Sequence, residues 1–400
     1  MNLYEQLPYW LMKDGIVAQY PSLDKNLNVD IAIMGAGISA ALTAWHLRDA
    51  GLSVVVLDKR HAGMGSTAAS TAFLQYEIDT PLNRLSQLVG EKNAVASYEL
   101  CRKAIYDIGN ICKMLKPTFD FHLVPSLQYA SFKTHLRQLK NEYHARKNAG
   151  FEIEWLEAAD LKKRFNMDAP GAIFSKDGGE VDAYLLTHAL FKDFGKYGHD
   201  IYNNSTVKHI AHHKNSVILT INDGITVKAK KLVIACGYES LHYLPKPVAN
   251  IKSTYALVSE PLSREYFWHK NSLIWETAVP YMYFRVVSEN RILVGGRDDL
   301  YHRPHMFPSV IKRKTEQLVD AFKKKMPHIP LKADFSWAGA FATTKDGLPY
   351  IGTVPERPHT YFALGFGGNG ITFSVIAAEI LRDMITGKKN DNADIFRFDR

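Results

Sequence analysis

The stretch "IMGAGISA", residues 33–40, carries Gly35, Gly37 and Ala40 at the spacing G-x-G-x-x-A, between an apolar run and a helical pattern. With side chains withdrawn from such a turn, backbone N–H groups and a helix N-terminus face outward, which is the chemistry of holding a pyrophosphate. Asp58 closes a second apolar run about 20 residues beyond Gly37, where a carboxylate accepts hydrogen bonds from the hydroxyls of an adenosine ribose. Tight helix–sheet packing alone would use the glycines but not the acid. The residues point to a bound dinucleotide.

The elements that must position them follow from periodicity. Residues 29–34 read as a strand, 38–50 as a helix closed by Gly51 and 53–57 as a second strand, a βαβ unit. Helical patterns follow at 82–116, 132–149, 182–197 and 310–325. Between them lie β-rich blocks: residues 231–235 return as a buried strand ending at Gly237, and "PYMYFRVV" and "RILVGGR" form later strands. The chain closes with the strand "TYFALGF", the turn "GGNG" and a helix over 371–385. Four hundred residues exceed one compact core. Because the blocks interleave, the expected domains are discontinuous: 1–80, 165–245 and 335–400 bind the dinucleotide, and 81–164 and 246–334 form a substrate domain.

Three features favour FAD over NAD. "GMGSTAAS", residues 63–70, places small residues and hydroxyls after Asp58, where a second phosphate-facing segment can form. "LVIACG" ends in small residues where its strand leaves the sheet beside the dinucleotide, and its Cys236 reads as a small core residue. "GFGGNGITFSVIAAEIL" is another strand, glycine turn and helix start at the far end of the chain. Its N–H groups and positive helix end suit a flavin carbonyl, where negative charge develops on reduction.

In this order, "IAIMGAGISAALTAWHLRDAGLSVVVLDKR", "GSTAAS", "VIACG", "SWAGAF" with "DGLPYIG", and "GFGGNGITFS" resemble the FAD-dependent D-amino-acid oxidase superfamily over nearly the whole chain. Glycine oxidase, sarcosine oxidase and γ-glutamylputrescine oxidase-like proteins belong to it. The resemblance implies an α/β fold in which a glutathione-reductase-type FAD-binding Rossmann domain joins a second, substrate domain built on a mixed β-sheet. It puts Gly35, Gly37, Asp58 and Lys59 on the adenosine diphosphate, Ser66 and Thr67 near the pyrophosphate, and Val207 at the adenine with Gly237 beside it. Gly347, Gly367, Gly368, Asn369, Gly370 and Ile371 would surround the flavin. Some members hold the flavin through a cysteine near "WAG" or through a histidine; no cysteine follows Cys236 here and "GSTAAS" contains no histidine, so non-covalent FAD is expected.

The reaction this implies is removal of hydride from a carbon bearing an amine, leaving an imine, so the protein must orient a deprotonated amine and exclude water. Alternation puts Tyr281, Tyr283 and Arg285 on one face of their strand and Leu293, Gly295 and Arg297 together on the next, with Gly295 and Gly296 leaving room for a ring. Tyr283, Arg285 and Arg297 are the candidate catalytic residues. Arg297 either pairs with a substrate carboxylate or forms a structural ion pair with Asp298 or Glu276. The resemblance departs at two places: a carboxylate-binding arginine of glycine oxidase-like proteins is Phe341 here, and the oxygen-activating lysine of sarcosine oxidase is Leu293. The expected substrate is a small amine or amino acid, and the acceptor is oxygen or another electron acceptor such as a quinone. Dehydrogenation of a 2-hydroxy acid and a flavin-binding protein without turnover are the alternatives.

Composition excludes other classes. The net charge is +8, but runs such as Lys323, Lys324 and Lys325 fall on a solvated helix face, so no nucleic-acid partner is expected. Three cysteines without a CxxC pair argue against a disulfide framework and zinc. No stretch reaches the ~18 apolar residues of a membrane span, and the N-terminus lacks a signal pattern, so a cytoplasmic enzyme is expected. His46, His61, His212 and His213 read as packing or surface residues, and no metal is inferred.

Overall fold

In the computed structural model, which describes residues 1, 3–116, 119–222, 224–300, 308–364 and 366–400, the strand Leu27–Met34 sits inside an eight-stranded sheet. It runs parallel to Val54–Leu57 on one side and to Ile225–Ile234 on the other, and Asp200–Tyr202 extends the parallel set. Val54–Leu57 is buried throughout, as an unbroken apolar run must be when both sheet faces are covered. The long strand Ile225–Ile234 divides its second edge. Its first half pairs antiparallel with Val217–Ile221, and its last residues pair parallel with Thr360–Leu364. The end of the chain thereby returns to the sheet that opened it.

Helix Ile38–Leu47 lies on one face of this sheet with every residue buried. It packs against Ala183–Gly195 and the C-terminal helix Gly370–Ile385, where Ala40, Ala41 and Ala44 permit close approach. Ser39 and Ser374 join the first and last of these through a 2.7 Å hydroxyl–hydroxyl bond. The helical pattern over 82–116 is two helices, Leu82–Val89 and Glu91–Leu115, broken at Gly90, whose φ of 83° leaves the helical region.

Nine strands form the second sheet, in the order Tyr4–Glu5, Ala333–Thr343, Asn250–Ser259, Arg291–Leu300, Met282–Val287, Leu273–Glu276, Ser126–Tyr129, Gly171–Ser175 and Ile153–Glu157. Leu273–Glu276 runs parallel to Ser126–Tyr129 while neighbours such as Met282–Val287 and Arg291–Leu300 are antiparallel, so the sheet is mixed, as expected. Helix Pro308–Lys325 covers it through Ile311, Leu318 and Phe322. Sheet pairing corrects the expected boundaries. Gly171–Ser175 and most of Ala333–Thr343 fall within the expected dinucleotide domain but hydrogen-bond into this sheet. Glu91–Leu115 was assigned to the substrate domain but shares a core with Ile38–Leu47 and Gly370–Ile385. Apolar patterning says that a segment is buried but not which sheet edge or helix it meets. Among the described residues no helix is long and apolar enough to cross a membrane.

Candidate active site

The first glycine turn passes against the end of the strand Ile225–Ile234. Gly35 has φ 109°, and a Cβ there would collide with the carbonyl of Ala235. At Gly37 a Cβ would lie 2.9 Å from Thr67 Oγ1, and that hydroxyl accepts a hydrogen bond from Ile38 N at 2.9 Å. Thr67 thus occupies one of the free N–H groups at the helix start from another segment. The Asp58 carboxylate accepts from Ala36 N at 2.6 Å and Arg60 N at 2.7 Å, and burial pushes its pKa up against these two bonds. Lys59 and Arg60 both donate to Glu239, at 2.7 and 2.8 Å. Burial works against the charged form of Glu239, but hydrogen bonds from Arg60 and Lys59 outweigh it and hold the pKa down at about 2.

These segments wall a cleft of ≈ 250 Å³ that Val207 and Gly237 also line. Cys236 lines it too, but its thiol donates to Met34 O at 3.1 Å and burial pushes its pKa up, so it is not a free nucleophile. A second cavity of ≈ 140 Å³ adjoins the cleft, and Ser66, Ser70, Tyr238, Gly370 and Ile371 line both. Gly367, Gly368 and Asn369 close one end of it. Asn369 Nδ2 donates to the carbonyls of Gln75 and Glu77 at 2.9 and 3.0 Å, which fixes the turn before Gly370–Ile385. Asp79 accepts from Gly368 N at 3.0 Å and from the Tyr281 hydroxyl at 3.3 Å. Tyr283 and Asp298 come from strands of the second sheet and Tyr281 immediately precedes the first of these strands, so the cavity lies between the two sheets.

The model of the FAD dependent oxidoreductase family, DAO, matches residues 30–384. The chain belongs to this family. It is 28% identical over 393 residues to glycine oxidase of Bacillus licheniformis, covering 93% of this chain and 97% of the relative. It is 23% identical over 408 residues to gamma-glutamylputrescine oxidoreductase of Escherichia coli (strain K12), covering 98% and 90%. Among solved structures, L-proline dehydrogenase from P. horikoshii superposes with TM-score 0.79 at 19% identity, covering 94% of this chain and 99% of that one, which shows a shared fold. The protein is therefore an FAD-dependent oxidoreductase.

The residues of this DAO-family member fit FAD. Among the described residues, Ser66 Oγ is buried without a protein partner at the junction of the two cavities, and Gln75 Nε2 is likewise buried without one in the second. Such groups are costly unless something bonds them. The glycine cradle at Gly35 and Gly37 leaves the cleft open where any Cβ would intrude on neighbouring atoms.

Four expected residues are not on these walls. Ala40 is fully buried in its helix and serves packing. Gly347, φ 82°, faces Thr80, whose Oγ1 would lie 2.6 Å from a Cβ there. Arg285 is 2% exposed and turned away from the cavity: its guanidinium donates to Thr71 O at 3.0 Å and to Glu180 at 2.9 Å. Arg297 is displaced by a β-bulge. Gly296 and Arg297 have φ of 121° and 58°, and the pairing with Asn250–Ser259 slips so that Thr254 alone opposes two residues. Alternation resets there. Asp298 enters the cavity, and the Arg297 guanidinium turns to Glu276 at 4.0 Å. The room left at Gly295 is filled by Tyr283 itself, whose ring would collide with any Cβ at that position. Sequence reasoning missed Asp79, Tyr238 and Asp298. Only Asp298 had a signal, the glycine pair inside a strand.

Proposed function

We propose that the protein oxidises a C–N bond of a small amine or amino acid, and that Gly35, Gly37, Asp58, Lys59 and Val207 hold the adenosine end of its FAD. Ser66 and Thr67 meet the pyrophosphate, and residues 367–371 border the flavin. The observation that carries this reading is the junction of the two cavities at the unpartnered Ser66 hydroxyl, which gives a dinucleotide and a small substrate one continuous space. The names of the two curated relatives agree with an amine or amino-acid substrate. FAD supplies the acceptor for the electron pair of the substrate C–H bond when bound. The chain's own residues do the rest. Tyr281 and Tyr283 wall the space, and the positive N-terminus of Gly370–Ile385, which borders it, would favour negative charge on a bound flavin. Burial raises the pKa of Asp298, and the charge of Asp79 adds to it, so Asp298 is suited to take the proton that a substrate ammonium must lose before its lone pair forms C=N.

No cysteine or histidine lines the second cavity among the described residues, which supports non-covalent FAD. Leu293 is fully buried, and no lysine lines the cavity among the described residues, which supports an acceptor other than oxygen. Cys101, Cys112 and Cys236 are unpaired, in keeping with a cytoplasmic enzyme. Anaerobic mixing of the FAD-loaded protein with a panel of amines and amino acids should bleach the flavin absorption with at least one. Bleaching by 2-hydroxy acids alone selects the hydroxy-acid alternative, and bleaching by none selects a flavin-binding protein without turnover. Reoxidation faster with a quinone than with air is the expected acceptor result.

A further inference from the structure

The charge on the cavity wall limits what can enter. Asp79 and Asp298 line it, and no Lys, Arg or His does so among the described residues. Lys252, which acts on both carboxylates, and Lys314, which acts on Asp298, lie off the wall. Four tyrosines also line it, Tyr255 among them. Tyr238 follows the end of the first sheet's long strand, and Tyr283, in the second-sheet strand Met282–Val287, and Tyr281, just before that strand, have ring centroids 5.8 Å apart. Aromatic faces attract ammonium groups, and Trp275 backs Tyr281 at 6.4 Å. Phe341 adds a further apolar ring. A carboxylate buried here would meet two like charges and, among the described residues, no cation on the wall itself, whereas an ammonium would be paired and covered.

Resting on the amine-oxidising reading, we infer that the substrate is an aliphatic amine that carries a second, non-reacting cationic nitrogen and no carboxylate. One nitrogen stays protonated against Asp79 and the tyrosine faces; the other gives its proton to Asp298 and is the one oxidised. This goes beyond the substrates named for the relatives and reverses the charge expected from Arg297.

Diaminobutane, butylamine and 4-aminobutanoate have similar length and differ at one end, which is cationic, neutral or anionic. Dissociation constants are read from the initial change of FAD absorption on anaerobic mixing, and the bleaching that follows is read separately. Diaminobutane should bind about 10-fold more tightly than butylamine and about 100-fold more tightly than 4-aminobutanoate, from the sign of a charge a few ångströms from a partly screened carboxylate. Asp79→Asn and Asp298→Asn should each shrink the diamine preference over butylamine by roughly 10-fold, with wild-type FAD content showing that the fold survives. Tightest binding by 4-aminobutanoate, equal binding of all three, or no spectral change with any of them overturns the inference. The expected order without bleaching by any amine instead sinks the oxidation reading and leaves the charge selectivity standing.

Discussion

Replacing Ser66 with alanine separates a cofactor-binding hydroxyl from a structural one. Ser66 Oγ is buried and bonded to no protein atom, so its removal breaks no intramolecular bond. A buried hydroxyl left unsatisfied costs about 1–3 kcal/mol, so the apoprotein should be unchanged or gain stability up to that size. In the FAD-loaded protein the same change removes a hydrogen bond to a charged group, worth about 1.5–3 kcal/mol, or roughly 10- to 100-fold in dissociation constant. Thr67→Val is the control. Its hydroxyl accepts from Ile38 N, so that variant should destabilise the apoprotein as well as weaken FAD binding. Quenching of flavin fluorescence on titration into apoprotein gives the affinity, and thermal melts of the same samples give stability. Unchanged FAD affinity in Ser66→Ala, or an apoprotein destabilised as much as Thr67→Val, would refute the placement of the pyrophosphate at Ser66.

The second-sheet wall offers further checks. Gly295→Ala places a methyl into the Tyr283 ring and should cost about 1–3 kcal/mol by thermal melt while lowering kcat/KM at normal FAD content; an unaltered kcat/KM would show that the Tyr283 position is irrelevant to turnover. Arg297→Ala removes only a 4.0 Å contact to Glu276, a buried carboxylate that keeps its bonds from Tyr129, Ser131 and Met282 N, and should leave kcat/KM nearly intact, a result opposite to that of a substrate-binding arginine. Arg285→Ala leaves the partly exposed Glu180 carboxylate only His122, at 3.5 Å, and should cost about 1–3 kcal/mol of stability, so a variant as stable as wild type contradicts the buried pair. His188 lies 3.3 Å from the Tyr20 hydroxyl, and burial pushes its pKa from 6.5 down to about 4. The unfolded chain binds this proton more tightly, so stability is full above pH 6.5 and falls as the pH drops towards 4. His188→Gln should flatten the urea midpoint against pH across that window, and an unchanged slope would exclude the assignment.

The βαβ unit was legible because its information is local. Gly35 must turn within a few residues, and Asp58 closes the next strand in the same short segment. The second glycine turn at 367–370 was legible for the same reason, and the family pattern joined the two across the length of the chain. Sheet membership was not, because Gly171–Ser175 and Ala333–Thr343 are apolar enough for either sheet and their partners are distant in sequence. Asp79 and Tyr238 carry no spacing signal; they reach the cavity through the turns beside Gly368 and beyond the strand Ile225–Ile234.

The sequence by itself determined where the backbone had to be bare for a dinucleotide and which runs had to be buried, since both depend on residues close together in the chain. The tertiary structure alone decided the polarity of the second cavity. One extra residue at the Gly296–Arg297 bulge moves every later side chain of that strand to the opposite face, which exchanges an arginine for Asp298.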